Sequence, residues 1–427
     1  MAALLRSRRA AAGVAAALCL LAAGCGSSGT VEGGNDAYQA TTLTVYTDLP
    51  FLGPDGAVMT EIANGETIAL YDAGGHVGKL HVSIEKLNDA ADVTVAAPDT
   101  PSPLPNDTDQ VAESAYLASS DLSTAAYIGD FDSAATAPAL QLLNQNDILQ
   151  ISPASNYAGF TDTNPTNLTG DPGGFYPSRV RTFSRLVPSA AVEARATVSF
   201  MRSLGVSHLA LLADTSTYDS LGARLVAADA PAAGITLAGL NEGIDTQSAS
   251  DFTRVVAAVV AEHPDAVLLA GSPDPGADAL FRALHAALPQ AKLFAPSTLA
   301  MPSFLAGLGP AAASATYVTS PILELDQYPP KAQTVFAQYR RLFAPAAPTA
   351  YALYGYDAME DVLAAIARAG NQAAKRTALV SAFFHLGEIH GAIGNYTISP
   401  SGDTSLKAFD GYRVGAGGAL VLVRRLG

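Results

Sequence analysis

The feature that most constrains the fold is a rhythm running from Ser189 to Ala295. Apolar runs at His208–Ala213, Ile235–Leu240, Ala266–Ala270 and Lys292–Ala295 alternate with helix-length stretches, one ending at Leu204-Gly205 and others at Leu221–Ala230, Asp251–His263 and Ala277–Leu288. Ser189 and Ser250 stand where helix N-caps belong. Strands alternating with amphipathic helices at this spacing predict a parallel sheet covered by helices.

The same unit occurs in the first half of the chain. Ala125–Gly129 and Ile148–Ile151 are apolar runs around a helix; the first leads to Asp132, Ser133 and Thr136, the second to Ser152-Pro153-Ala154-Ser155-Asn156. Pro138 suits a first helical turn, so Asp132–Thr136 is expected to be a loop whose N–H groups face the crevice beyond the strand ends. Upstream, Thr42–Asp48 and Lys79–Leu87 read as strands around a helix at 57–71. Residues 91–107 carry Pro98, Pro101, Pro103 and Pro105 and read as a surface insertion before a helix at Thr108–Ser120. Tyr157–Ser178 is a long turn-rich loop, of a length that is usually functional or disordered. Helices at 331–343, 351–369 and 377–385 then precede a β tail at 394–399, 406–414 and 419–424. Two α/β runs separated by strand-like links predict two lobes with a cleft between them.

The N-terminus points to export. Arg6, Arg8 and Arg9 precede an apolar stretch, Ala10–Gly24, that is too short to span a bilayer and reads as a signal peptide over residues 1–24. Leu21-Ala22-Ala23-Gly24-Cys25 resembles a bacterial lipobox, which makes Cys25 the expected lipidation site; signal cleavage without lipidation is the alternative. Residues 25–41 read as a flexible tether. Neither of the two cysteines, Cys19 and Cys25, is left for a disulfide or metal site. Loss of residues 1–24 removes three arginines and no acids, taking the formal charge from −15 to −18. Such an acidic body is a poor binder of nucleic acid or of an anionic membrane surface.

Catalytic signatures are weak. No Gly-x-Ser-x-Gly elbow occurs, and Gly74–Leu80 lacks both the first glycine and the hydroxyl residue of a phosphate loop. His385-Leu386-Gly387-Glu388-Ile389-His390 has the wrong spacing for a zinc helix, so no metal or cofactor is expected. Polar groups instead gather at predicted strand ends: Ser133 and Thr136, then Ala154, Ser155 and Asn156, then Tyr218, Ser272 to Asp274, and Ser297. Their repeated placement suggests a cleft with a few hydrogen-bonding groups for a small solute.

Leu49–Gly53 with Asn64-Gly65, Gly129–Pro138, Ile151–Asn156, Arg181–Arg185, Asp214–Tyr218 and Tyr351–Met359 fall in the order seen in leucine/isoleucine/valine-type periplasmic binding proteins. The chain resembles that family over about residues 42–425. The resemblance implies the type I, Venus-flytrap fold, in which two Rossmann-like lobes with parallel sheets close on solute by hinge motion. Three crossovers would lie near 182–187, 317–321 and 391–396. The N-terminal lobe would comprise 42–183 and 320–391, the C-terminal lobe 184–319 and 392–427. By position, Ser133 would donate to a ligand carboxylate, Ala154 and Asn156 would serve carboxylate and ammonium, Tyr218 would cover the ligand, and Val58 would line the apolar pocket. The family's amino-acid binders place an acid where this chain has Ser297, so Asp274 or Asp132 substitutes as ammonium partner, or the ligand is not an α-amino acid. The implied protein is non-catalytic and monomeric, held to the membrane only by its lipid, and delivers a small polar solute to ABC permease subunits. The competing readings are a sensory module for a membrane receptor and a secreted hydrolase using His385, Glu388 and His390.

Overall fold

The structure is a computed structural model, and it describes residues 41–90, 108–273 and 276–426. Cys25, the tether, the proline-rich insertion and Asp274 lie outside the described residues. In chain order the first half contains β1 (Thr42–Asp48), α1 (Gly56–Asp72), β2 (His76–Val77), β3 (Leu80–Leu87), α2 (Thr108–Ser120), β4 (Thr124–Ile128), α3 (Ser133–Gln145), β5 (Leu149–Ser152) and β6 (Phe183–Arg185). There follow α4 (Ala190–Ser203), β7 (His208–Asp214), α5 (Gly222–Asp229), β8 (Thr236–Ile244), α6 (Ala249–Glu262), β9 (Ala266–Ala270), α7 (Ala277–Ala287) and β10 (Lys292–Ala295). The last third holds α8 (Pro302–Gly307), α9 (Gly309–Ala315), β11 (Thr316–Ser320), α10 (Pro330–Leu342), α11 (Tyr351–Ala369), α12 (Arg376–Phe383), β12 (Ile389–His390), β13 (Asn395–Tyr396), β14 (Phe409–Val414) and β15 (Leu420–Leu426).

Two sheets result. The first has the order β2-β3-β1-β4-β5-β6 and is parallel except for the short β2; the second has the order β15-β14-β11-β10-β9-β7-β8, parallel from β11 to β8 with two antiparallel strands at one edge. The central strands β4 and β9 are buried on both faces, as parallel strands covered by helices require. The chain passes between the lobes three times, after β6, after β11 and after β13.

The first and third passages lie slightly beyond the lobe boundaries expected at 183/184 and 391/392. β6 spans the expected boundary at 183/184, because Gln150, Ile151 and Ser152 pair with Phe183, Ser184 and Arg185. Ala392, Ile393 and Tyr396, expected in the C-terminal lobe, belong to the first core. Two buried acids of α11 hold them there: Asp357 accepts the N–H groups of Ala392 (2.7 Å) and Ile393 (2.8 Å), and Asp361 accepts the Tyr396 hydroxyl at 3.0 Å. Two capping expectations also change. Ser248, not Ser250, caps α6 by accepting from Asp251 N. The helix α3 begins at Ser133 and contains Pro138, because Asp132 Oδ1 accepts from the N–H groups of both Ala134 and Ala135 at 2.9 Å and so anchors the first turn ahead of the proline.

α11 is the first lobe's central helix, buried along most of its 19 residues. It meets α1 at a backbone-to-backbone contact: a Cβ on Gly65 would stand 1.9 Å from Ala352 O, and one on Gly355 would stand 1.9 Å from Ile62 O. Neither helix backbone can yield without repacking the core. Gly355→Ala should therefore destabilise the protein by about 1–3 kcal/mol, whereas Gly173→Ala, with nothing within 4 Å, should stay within about 0.5 kcal/mol; chemical denaturation of the two variants checks this.

Candidate functional site

A cleft of about 620 Å³ opens where the carboxyl ends of the two sheets face each other, the position that open parallel sheets offer to ligands. The first lobe contributes Pro50, Leu52, Phe131 and the segments 132–134 and 154–156; the second contributes Thr215–Thr217, Asp219, Ser272, Ser297 and Thr298. Across it, Asp55 accepts the N–H (2.9 Å) and the hydroxyl (2.6 Å) of Ser303.

Of the residues expected to bind solute, Asp132, Ser133, Ala154, Ser155, Asn156, Ser272 and Ser297 line the cleft. Ser133 is buried, and its Oγ lies 3.3 Å from both the Ser155 hydroxyl and the Tyr157 N–H. Accepting both leaves its own proton as a donor. The N–H groups of Ala154 and Ser155 turn back to Ser152 Oγ, so these residues offer carbonyls and a hydroxyl rather than amide donors. Ser272 is committed as well, donating its N–H to Asp214 and its hydroxyl to Asp219.

Three expected residues stand elsewhere. Thr136 is fully buried one turn into α3, and its hydroxyl donates to Asp132 O at 2.7 Å, the ordinary bond of a threonine inside a helix. Tyr218 is drawn into an aromatic cluster, with ring centroids 5.0 Å from Tyr157 and 6.0 Å from Phe160; the long loop at 157–178 thus packs through its own aromatic residues. Val58 joins Leu49, Met59, Ile62 and Met301 in an apolar seam, and it is the next residue of α1, Met59, that reaches the cleft, since each helical step turns the side chain by about 100°. His385 and His390 do not converge: their Nδ1 atoms lie against Ser381 O and Asn395 Oδ1 respectively.

The residue that sequence reasoning missed is Glu193. It lies in the first turn of α4, only 4% exposed, and its carboxylate accepts Ser297 N (2.6 Å), Ser297 Oγ (2.8 Å) and Asn156 Nδ2 (3.0 Å). An acid thus does stand at the Ser297 position, one layer behind it and supplied by another helix. In sequence it reads as an ordinary first-turn acid, favoured there by the helix dipole. All three of these hydrogen bonds are given to Glu193. What Ser297 Oγ can show the cleft is therefore lone pairs, in front of a carboxylate.

A family profile described as periplasmic binding protein matches residues 105–418, well over half of the chain. The chain belongs to the periplasmic binding protein family. It is a solute-binding protein that works outside the cytoplasm, and no helix among its described residues is long and apolar enough to cross a membrane. Its fold is shared with a leucine binding protein LivK from Thermotoga maritima (TM-score 0.72, 19% identity, covering 90% of this chain and 98% of the other). A branched-chain amino acid binding protein LivJ from Streptococcus pneumoniae in complex with isoleucine aligns with TM-score 0.70 and 15% identity, over 90% and 99% of the two chains. A solute binding protein from R. palustris in complex with benzoate aligns with TM-score 0.69 and 17% identity, over 90% and 96%. No curated protein sequence matches.

Burial raises the Glu193 carboxyl from its ordinary value near 4.5 to about 7, against the three hydrogen bonds that favour its charged form. Glu66, fully buried and bonded to the Thr47 hydroxyl, is raised to about 8 for the same reason. Between about pH 4.5 and these values the folded protein holds protons that the unfolded chain has lost, so the contribution of these groups is complete at low pH and is lost as pH rises through 7 and 8. The melting temperature of this binding protein should fall from pH 5 to pH 8.5, and Glu193→Gln should flatten the slope below pH 7; a pH series of thermal melts reads both.

Proposed function

We propose that this protein is the solute receptor of an ABC importer, anchored through a lipid on Cys25, and that its cleft holds a small amine-bearing carboxylate of the branched-chain amino acid kind. The observation that carries the reading is the polarity of the cleft. Ser133 offers a hydroxyl donor on one wall, suited to a carboxylate, and on the other Ser297 offers lone pairs in front of the Glu193 carboxylate, suited to an ammonium. Pro50, Leu52, Phe131, Met301 and Phe304 supply apolar lining between. Binding groups from both lobes favour the closed form, which a permease can then tell from the open one.

The structural relatives carry isoleucine in one case and benzoate in another, and these chemistries differ at the amine. A thermal-shift screen should therefore pair each amino acid with its deamino analogue. A ligand at about 100 times its dissociation constant adds roughly 2.7 kcal/mol of stability. Leucine, isoleucine or valine should shift the midpoint and their deamino acids should not; benzoate-type acids shifting it alone would refute the amine. Ser133→Ala should weaken binding by about tenfold or more, the worth of one hydrogen bond to a charged group. Affinity for an amine should rise with pH through about 7 as Glu193 ionises, and this dependence should vanish in Glu193→Gln.

A further inference from the structure

The carboxyl ends of β1, β3 and β4 converge under the floor of the cleft. Asp48 is the last residue of β1, Asp89 lies two residues beyond β3, and Asp130 two beyond β4. All three are 0% exposed, and each places a carboxylate oxygen within 4.8 Å of one from each of the others. Neutral donors meet only part of this demand. The Tyr127 hydroxyl stands 2.6 Å from Asp48 Oδ2 and 3.1 Å from Asp130 Oδ1, but it has one proton to give. Gln150 Nε2 donates to Asp130 Oδ2 at 3.1 Å.

What is left over points to a cation. Among the described residues, Asp89 is wholly buried, is turned towards the other two acids, and has no hydrogen-bond partner on either carboxylate oxygen, while Asp48 beyond its Tyr127 bond has only the buried Ser114 hydroxyl near it. Gln150, also 0% exposed, has its Nε2 committed to Asp130 and the Gly129 carbonyl, so it brings no further donor to Asp89. Among the described residues, no ion pair brings a lysine or arginine to any of the three acids. Like charges at this spacing repel, and a buried carboxylate without a partner is costly.

We propose that Asp48, Asp89 and Asp130 bind one calcium ion that ties the three strand ends together beneath the solute cleft. The donors are all oxygen and all hard, with no histidine or cysteine among them, which selects against zinc and copper. Calcium binds oxygen at about 2.3–2.6 Å, so ligand atoms up to roughly 5 Å apart can share it. Magnesium, at about 2.0–2.1 Å with its retained waters, fits a dry site of this spread less well. Ala90, Phe131 and Asp132, each one or two residues from these acids, line the cleft itself. The ion would therefore brace the first lobe's solute-facing loops, whichever solute the cleft takes.

The test uses the purified full-length protein, stripped with chelator and dialysed, then melted with calcium or magnesium at about 1 mM, the range of extracellular calcium modules. Calcium should raise the midpoint by about 1–2 °C, magnesium by less, and elemental analysis after dialysis against calcium should count one ion per chain. Asp89→Asn should abolish the calcium shift while leaving the metal-free midpoint unchanged or higher, because it removes one of three repelling charges and breaks no hydrogen bond. No calcium shift in the wild type, or the same shift in Asp89→Asn, overturns the site; an equal shift with magnesium overturns the choice of ion. Should Asp89→Asn fail to fold, the wild-type ion count decides, and a count of zero overturns the proposal.

Discussion

A carboxylate removed from water must be met by donors, and the joints of this protein depend on how that demand is met. The chain carries 39 acids against 24 lysines and arginines, so most buried acids turn to neutral N–H and O–H groups. Glu193 gathers Ser297 and Asn156 at the junction of the lobes. Asp357 holds the third passage between lobes to α11, and Asp410 accepts the Glu324 N–H near the second. Asp403 extends the same logic to Arg185, the one fully buried arginine among the described residues, whose guanidinium it meets at 2.8 Å beside the first passage. Each of these bonds joins segments far apart in sequence, and together they set where one lobe ends and the other begins.

That arrangement shapes the cleft chemically as well as mechanically. A serine facing a cleft can act as donor or acceptor, and its own environment decides which. Ser133 receives two hydrogen bonds from its own lobe and keeps its proton for the cleft. Ser297 gives both of its donors to Glu193 and keeps only lone pairs. On the proposed reading, two residues of one type thus become opposite poles of the site, with the charge one layer behind the wall and the apolar side chains between. The buried charge is also tied to pH, because the burial that makes Glu193 useful raises its pKa to about 7.

Much of this was legible in the residue order. Strands and helices fall close to their predicted places because apolar periodicity and turn formers act locally, and the cleft follows from strand ends in a parallel sheet. Ser133, Asn156 and Ser297 reach the cleft for that reason. Thr136 and Val58 do not, since a shift of a few residues on a helix changes the face, and Pro138 misled the reading of where α3 begins. Tyr218 was lost to aromatic partners from a loop about 40–60 residues earlier, whose packing no local pattern announces. Glu193 looked like any acid in a first helical turn.

The sequence by itself determined two parallel α/β sheets, an export signal pattern, a strongly acidic body and the set of polar residues at the strand ends. These depend on short-range periodicity and composition, which one chain carries in full. Only the tertiary structure decided which acid stands behind Ser297, which face of α1 meets the cleft, and that Asp48, Asp89 and Asp130 come together. Those outcomes rest on contacts between residues dozens to more than a hundred positions apart, and such pairings are chosen by packing and by the need to satisfy buried charge rather than by any local pattern.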